Sequence, residues 1–110
     1  MKASETFVRN TEWQKMAEGV KRTILGYDSE IMMVAVQFEA GAVGALHDHP
    51  HRQVTYVAAG EFDVTIDGRT ESLRAGESFF VAPNLRHGVT AKTAGTLIDV
   101  FTPAREDFIK

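Results

Sequence analysis

Turn-forming residues interrupt this chain about every ten positions, and the runs between them have the length and alternation of strands rather than helices. Ile31 to Phe38 reads Ile-Met-Met-Val-Ala-Val-Gln-Phe, apolar on both faces near its middle, as expected of a strand covered on both sides; Gly41 and Gly44 then break it. Gln53 to Ala59 alternates and stops at Gly60. Phe62, Val64 and Ile66 alternate with polar residues and run into Asp67-Gly68, the strongest two-residue hairpin signal available. Arg69 to Leu73 is the return strand, closed by Ala75-Gly76, and Ser78 to Val81 ends at Pro83-Asn84. His87 to Ala91 and Thr96 to Phe101 finish the series, separated by Thr93-Ala94-Gly95. A parallel sheet would need helices between these runs, and none is legible. The pattern is therefore all-β, a small antiparallel barrel or jelly roll.

One short helix is expected at the C-terminus, over 103–110, with Thr102 as cap and Pro103 in the first helical position. Residues 1–12 are polar and read as an N-terminal arm or strand, so that 1–110 forms one domain. The net charge of −3 has its Lys and Arg scattered, which excludes the basic stripe of a nucleic-acid interface. With no cysteine, disulfides, thiolate metal sites and cysteine nucleophiles are excluded as well. Glu5, Arg9, Glu12, Lys15 and Glu18 break the first twenty residues, leaving no apolar run for a signal peptide or membrane span; a cytoplasmic protein is expected.

The histidines carry the chemistry. Three of the four sit at alternating positions in His47-Asp48-His49-Pro50-His51, and the fourth, His87, stands alone downstream. In extended backbone residues two apart share a face, so His47 and His49 could converge with Gln53, whose side-chain carbonyl lies early in the next strand. His87 would join them through the fold. Imidazoles gathered from separate strands make a transition-metal site with open coordination positions, and one divalent ion, Zn, Ni or Fe, is expected. Pro50 makes a kink or bulge near His49 expected, and His51 beyond it is read as a rim residue rather than a fourth imidazole ligand.

The spacing Gly41, five residues, His47, one residue, His49, three residues, Gln53, six residues, Gly60 resembles the first cupin motif, with Gln where most members have Glu. Gly76 through Pro83 and Asn84 to His87 resembles the second, departing at Ala82, Asn84 and Ala91, where proline, glycine and asparagine are usual. The resemblance implies a six- to eight-stranded barrel holding one divalent metal on His47, His49, Gln53 and His87, and commonly a homodimer. A neutral amide at position 53 leaves the ion's charge uncompensated, which favours an anionic substrate and weakens any transfer of the dioxygenase chemistry of Glu-bearing cupins.

Nearly the whole chain also resembles the single-domain cupins of pectin and alginate breakdown. The matching stretches are Trp13, Gly19 to Leu25, Met32-Met33-Val34, His47 to Gln53, Pro83 to Gly88, and Gly95 to Pro103 with Arg105 to Phe108. That family converts 4,5-unsaturated monouronates to linear 5-keto-4-deoxyuronate. On that resemblance Asp99 is the candidate acid/base, Arg105 the planar fork for the substrate carboxylate and Phe101, on the face of Asp99, the surface against the sugar. Taken without it, Asp99 could be a surface carboxylate, Phe101 ordinary core and Arg105 a solvated helix residue. The directions of Lys21, Arg22, Tyr56 and Arg86 stay open. The competing readings are another cupin enzyme, an Fe-dependent dioxygenase or sugar isomerase, and a sugar-acid-binding sensory cupin without turnover.

Overall fold

The computed structural model describes residues 2–109. Its turns divide the chain into β1 (Gln14–Ala17), β2 (Val20–Tyr27), β3 (Met32–Phe38), β4 (Val43–His47), β5 (Arg52–Ala59), β6 (Glu61–Ile66), β7 (Arg69–Arg74), β8 (Ser78–Val81), β9 (His87–Ala91), β10 (Gly95–Thr102) and α1 (Glu106–Ile109). Two antiparallel sheets form, a six-stranded one in the order β1-β2-β3-β10-β5-β8 and a four-stranded one in the order β4-β9-β6-β7. Asp67 and Gly68 both take positive φ, 49° and 81°, the two-residue turn whose twist matches its strands. It pairs β6 with β7 without a slip from Ile66↔Arg69 to Glu61↔Arg74.

Two expectations are corrected. Gly44 is not a break: it lies within β4 at negative φ, where a Cβ would come within 3.1 Å of Val89 in β9. Its role is close packing of two strands. The C-terminal helix begins at Glu106, not at Pro103, because Thr102 is still the last residue of β10. Ala104 then donates its amide to the Ser29 carbonyl at 3.2 Å and is buried with Met32, Val34 and Phe101, so 103–105 forms a packed connector. Lys110, the far end of the expected helix, and Met1 lie outside the described residues. Of the two readings of the N-terminal residues, arm or strand, residues 2–13 contain no strand; Ser4 ties them to the end of β2 by two 2.9 Å bonds, its amide to the Tyr27 carbonyl and the Tyr27 amide to its Oγ.

Between the sheets the chain buries Val20, Phe38, Val57, Phe62, Val64 and Leu97 as one cluster, with Phe38 and Phe62 edge to face at 5.2 Å. Gly60 closes β5 at φ +82°, and a Cβ there would meet the Ala94 carbonyl at 2.6 Å, so only glycine fits. The register of β5 against β10 decides where chemistry can happen. Leu97↔Val57, Asp99↔Thr55 and Phe101↔Gln53 are paired, and these residues share the inward face. The apolar core thus gives way, within two residue steps, to buried polar side chains at one end of the barrel.

Candidate metal centre

His47 ends β4 directly opposite His87, the first residue of β9. His49 follows in the connection before β5, beyond the end of β4 and just ahead of the bend at Pro50 and His51, so strand alternation alone does not set its ring's direction. The ligand nitrogens of His47, His49 and His87 lie within 4.8 Å of one another. Their ring centroids are 4.3 Å apart for His47–His87, 4.8 Å for His49–His87 and 5.5 Å for His47–His49. His49 and His87 are 5% and 3% exposed, whereas His47 reaches solvent. Gln53, buried at the start of β5, brings its Oε1 to 3.0 Å from His49 Nε2.

The hydrogen bonds behind the rings fix which nitrogen each presents. His47 Nδ1 bonds the Ala45 carbonyl at 2.9 Å, His49 Nδ1 the His51 carbonyl at 3.1 Å and His87 Nδ1 the Leu85 carbonyl at 2.8 Å. A carbonyl only accepts, so each Nδ1 carries the proton and each Nε2 is left with a lone pair directed to the common centre. Gln53 is oriented in the same way: its Nε2 donates to Thr55 Oγ1 at 2.9 Å, which turns Oε1 towards the rings. Two consequences bear on an ion. His87 Nε2 is buried with no hydrogen-bond partner, and His49 Nε2 faces Gln53 Oε1 acceptor to acceptor. A cation satisfies both, and imidazole nitrogens with a side-chain carbonyl are donors that such an ion takes. The donor set therefore fits a divalent transition metal. Burial holds His87 well below the usual imidazole range, at about 4, and pushes His49 in the same direction, so both rings are neutral and ligand-ready at neutral pH.

A cavity of about 250 Å³ opens from this cluster, bordered by His47, Gln53, His87, Asp99, Phe101 and Arg105 among others. That is below the roughly 300–1,000 Å³ of drug-sized sites, and it suits a monosaccharide better than a polymer. Asp99 is partly buried; Thr55 Oγ1 donates to its Oδ1 at 2.6 Å and Gln53 Nε2 to the same oxygen at 3.4 Å. Oδ2 has no partner among the described residues. Burial pushes the Asp99 carboxyl up to about 6, against the opposing pull of the Thr55 bond. Phe101 is buried and edge to face with His49 at 5.7 Å and with Phe108 at 5.6 Å. It is core and cavity wall at once. Arg105 is buried too, its guanidinium 5.1 Å from the Phe101 ring, and Asp107 takes one edge of it through Nε–Oδ1 at 3.1 Å and Nη2–Oδ2 at 2.8 Å.

Of the residues whose direction was open, Arg22 lines the cavity. Tyr56 has the opposite parity to Thr55 and points out of the sheet, Arg86 is exposed, and Lys21 stacks on Trp13 at 5.3 Å. His51 contributes its carbonyl to the site and its ring is not in the cluster. A larger groove of about 600 Å³ beside Trp13, Glu18 and Lys21 holds none of the clustered histidines. Thr55 is the residue beside the cluster that sequence reasoning passed over, and for Arg22 it left the direction open. Both were signalled by parity: Thr55 lies two residues from Gln53, and Arg22 is a charge on the face that Val20 buries.

Residues 34–101 match the model of the cupin domain. Among curated proteins, the pectin degradation protein KdgF of Dickeya dadantii is 42% identical over 101 residues, 90% of this chain and 92% of that protein. Among solved structures, an RmlC-like cupin from Shewanella frigidimarina superposes with TM-score 0.95 at 48% identity, covering 98% of this chain and 99% of that one. KdgF from Halomonas sp. superposes with TM-score 0.89 at 34% identity, covering 96% and 99%.

Proposed function

The chain belongs to the cupin family, and on that premise we propose that its three-histidine pocket converts 4,5-unsaturated monouronates, the products of pectin and alginate lyases, to linear 5-keto-4-deoxyuronate. The observation that carries this reading is the meeting of three imidazole Nε2 atoms and the Gln53 carbonyl beside one carboxylate, Asp99, in a cavity otherwise charged, among the described residues, only by arginines. The similarity to a protein named for pectin degradation supports the choice of substrate. A divalent ion held by His47, His49, His87 and Gln53 would supply a Lewis acid for an anionic, oxygen-rich ligand.

The chemistry asked of the protein side chains is small. A proton goes to C4 and a water oxygen to C5. The bond from C5 to the ring oxygen then breaks, leaving a C5 ketone and a hydrated aldehyde at C1. Loss of that water makes the product an isomer of the substrate. Asp99, fixed through Oδ1 by Thr55, has Oδ2 free to carry the proton. Phe101 offers an apolar wall to the sugar. Arg105, held in plane by Asp107, adds positive charge and its remaining donors.

Unsaturated galacturonate and mannuronate incubated anaerobically with the protein should lose the ultraviolet absorbance of the double bond in proportion to protein added. Chelation should stop the loss and added metal restore it. Uptake of oxygen would make the protein a dioxygenase instead, and binding without turnover a sensor.

We also propose a homodimer through the outer face of the six-stranded sheet. Met33, Val54, Tyr56 and Phe80, on β3, β5 and β8, are each about half exposed there. Contiguous apolar area of this kind marks a protein–protein surface. Val54→Glu should shift the mass in light scattering from two chains to one without loss of bound metal; an unchanged mass rules out this face.

A further inference from the structure

We propose that Arg22 is the residue that takes the sugar acid's carboxylate, as the one planar guanidinium fork in the cavity with no carboxylate bonded to it among the described residues; this rests on the reading of the pocket as a uronate site. Arg22 sits in β2 between Val20 and Ile24, on the inward face they share with their cross-strand partners Phe38, Val36 and Val34 of β3, so its side chain lines the cavity with Gln53, Asp99 and Phe101. Its guanidinium carbon lies 3.5 Å from the centroid of the Phe108 ring, which covers a face of the group and leaves its donor edges available.

Arg22 makes no ion pair among the described residues, and its Nε is buried with no hydrogen-bond partner. Arg105, 4.2 Å from the same ring, has given an edge to both oxygens of Asp107. Asp99, the only carboxylate lining the cavity among the described residues, is held by Thr55. A buried N–H without an acceptor is costly and uncommon. It is explained when the acceptor arrives with the ligand, and two parallel N–H groups match the two oxygens of a carboxylate. The two arginines then divide the labour: Arg105 is a fixed cation, and Arg22 recognises the acid.

The test uses the metal-loaded protein with Arg22→Met, which keeps the packing on Phe108, and Arg22→Lys, which keeps charge but not the fork. Calorimetry would follow saturated galacturonate and its methyl ester, and kinetics the unsaturated monouronate and its ester. Arg22→Met should weaken acid binding and raise KM about tenfold or more, with kcat changed far less and bound metal unchanged. The preference for acid over ester should vanish, and Arg22→Lys should recover only part of it. A wild-type KM and an intact preference in Arg22→Met would overturn the assignment, as would equal weakening of acid and ester, which marks a packing role. Should Arg22→Met fail to fold, Arg22→Lys with wild-type KM and preference is equally decisive against it. If the wild-type protein turns over no uronate, the function proposed above fails, while the calorimetric comparison still decides the role of Arg22.

Discussion

Replacing His87 by alanine is expected to abolish metal binding and turnover together. The expectation follows from its position. His47 and His49 come from one short stretch of chain, and His87 is the imidazole that reaches them from a different strand, 4.3 and 4.8 Å away between ring centroids. Without it two imidazoles and a neutral amide remain, and nothing closes the site on the side of β9. Loss of a residue that merely hydrogen-bonds a ligand typically costs about 10–100-fold in metal affinity, so loss of a ligand whose Nε2 is already aimed and stripped of water should cost at least that much. Elemental analysis of the purified variant after dialysis should give well under one tenth of the wild-type metal content, with activity reduced in parallel. The informative control is His51→Ala. That ring lies outside the cluster while its backbone carbonyl orients His49, so metal content should be nearly unchanged. If His87→Ala retains its ion and His51→Ala loses it, the ligand set is wrong. If both retain it, no site of this design exists.

The contrast between these two histidines shows what sequence can and cannot carry. The strand pattern was legible because turn chemistry is local: Asp67-Gly68 needs positive φ at both positions, and Gly60 has no room for a Cβ. Asn84 belongs to the same class. It stands where the cupin pattern has glycine and takes φ 67°, a conformation asparagine tolerates better than most residues. Gly44 misled because a glycine needed for close interstrand packing looks, in sequence, like one needed for a turn. The helix start misled for a different reason. Proline at position 103 suits a first helical turn, but the burial of Ala104 against Met32, Val34 and Phe101 outweighs that local preference and keeps the chain out of the helix until Glu106. Thr55, and the inward direction of Arg22, could have been found by extending along β5 and β2 the parity rule applied to the histidines. What no local rule supplies is the pairing Asp99↔Thr55 across two strands distant in sequence, and that pairing decides which oxygen of the carboxylate is free.

Asp99→Asn is expected to keep the metal and lose the activity, a separation that His87→Ala cannot give. The substitution preserves shape, and its amide oxygen can still accept the 2.6 Å bond from Thr55 Oγ1, so the side chain should stay in place. Gln53 has its main orienting partner in Thr55, at 2.9 Å, and only a weaker contact to Asp99 at 3.4 Å. The ligand set should therefore survive with full metal content. What disappears is a group able to hold and release a proton beside the cavity, and positioned general acid–base groups contribute about 10²–10⁴-fold. A fall of that size in kcat, with KM for the unsaturated uronate little changed, is the expected result. Thr55→Val offers a graded companion: it removes the anchor from both Asp99 and Gln53, and should lower activity less than Asp99→Asn while also weakening the hold on the metal. Should Asp99→Asn turn over at the wild-type rate, the proton must come from solvent or from another group. The proposed metal centre would stand unchanged in that case, because Asp99 is not among the four proposed ligands.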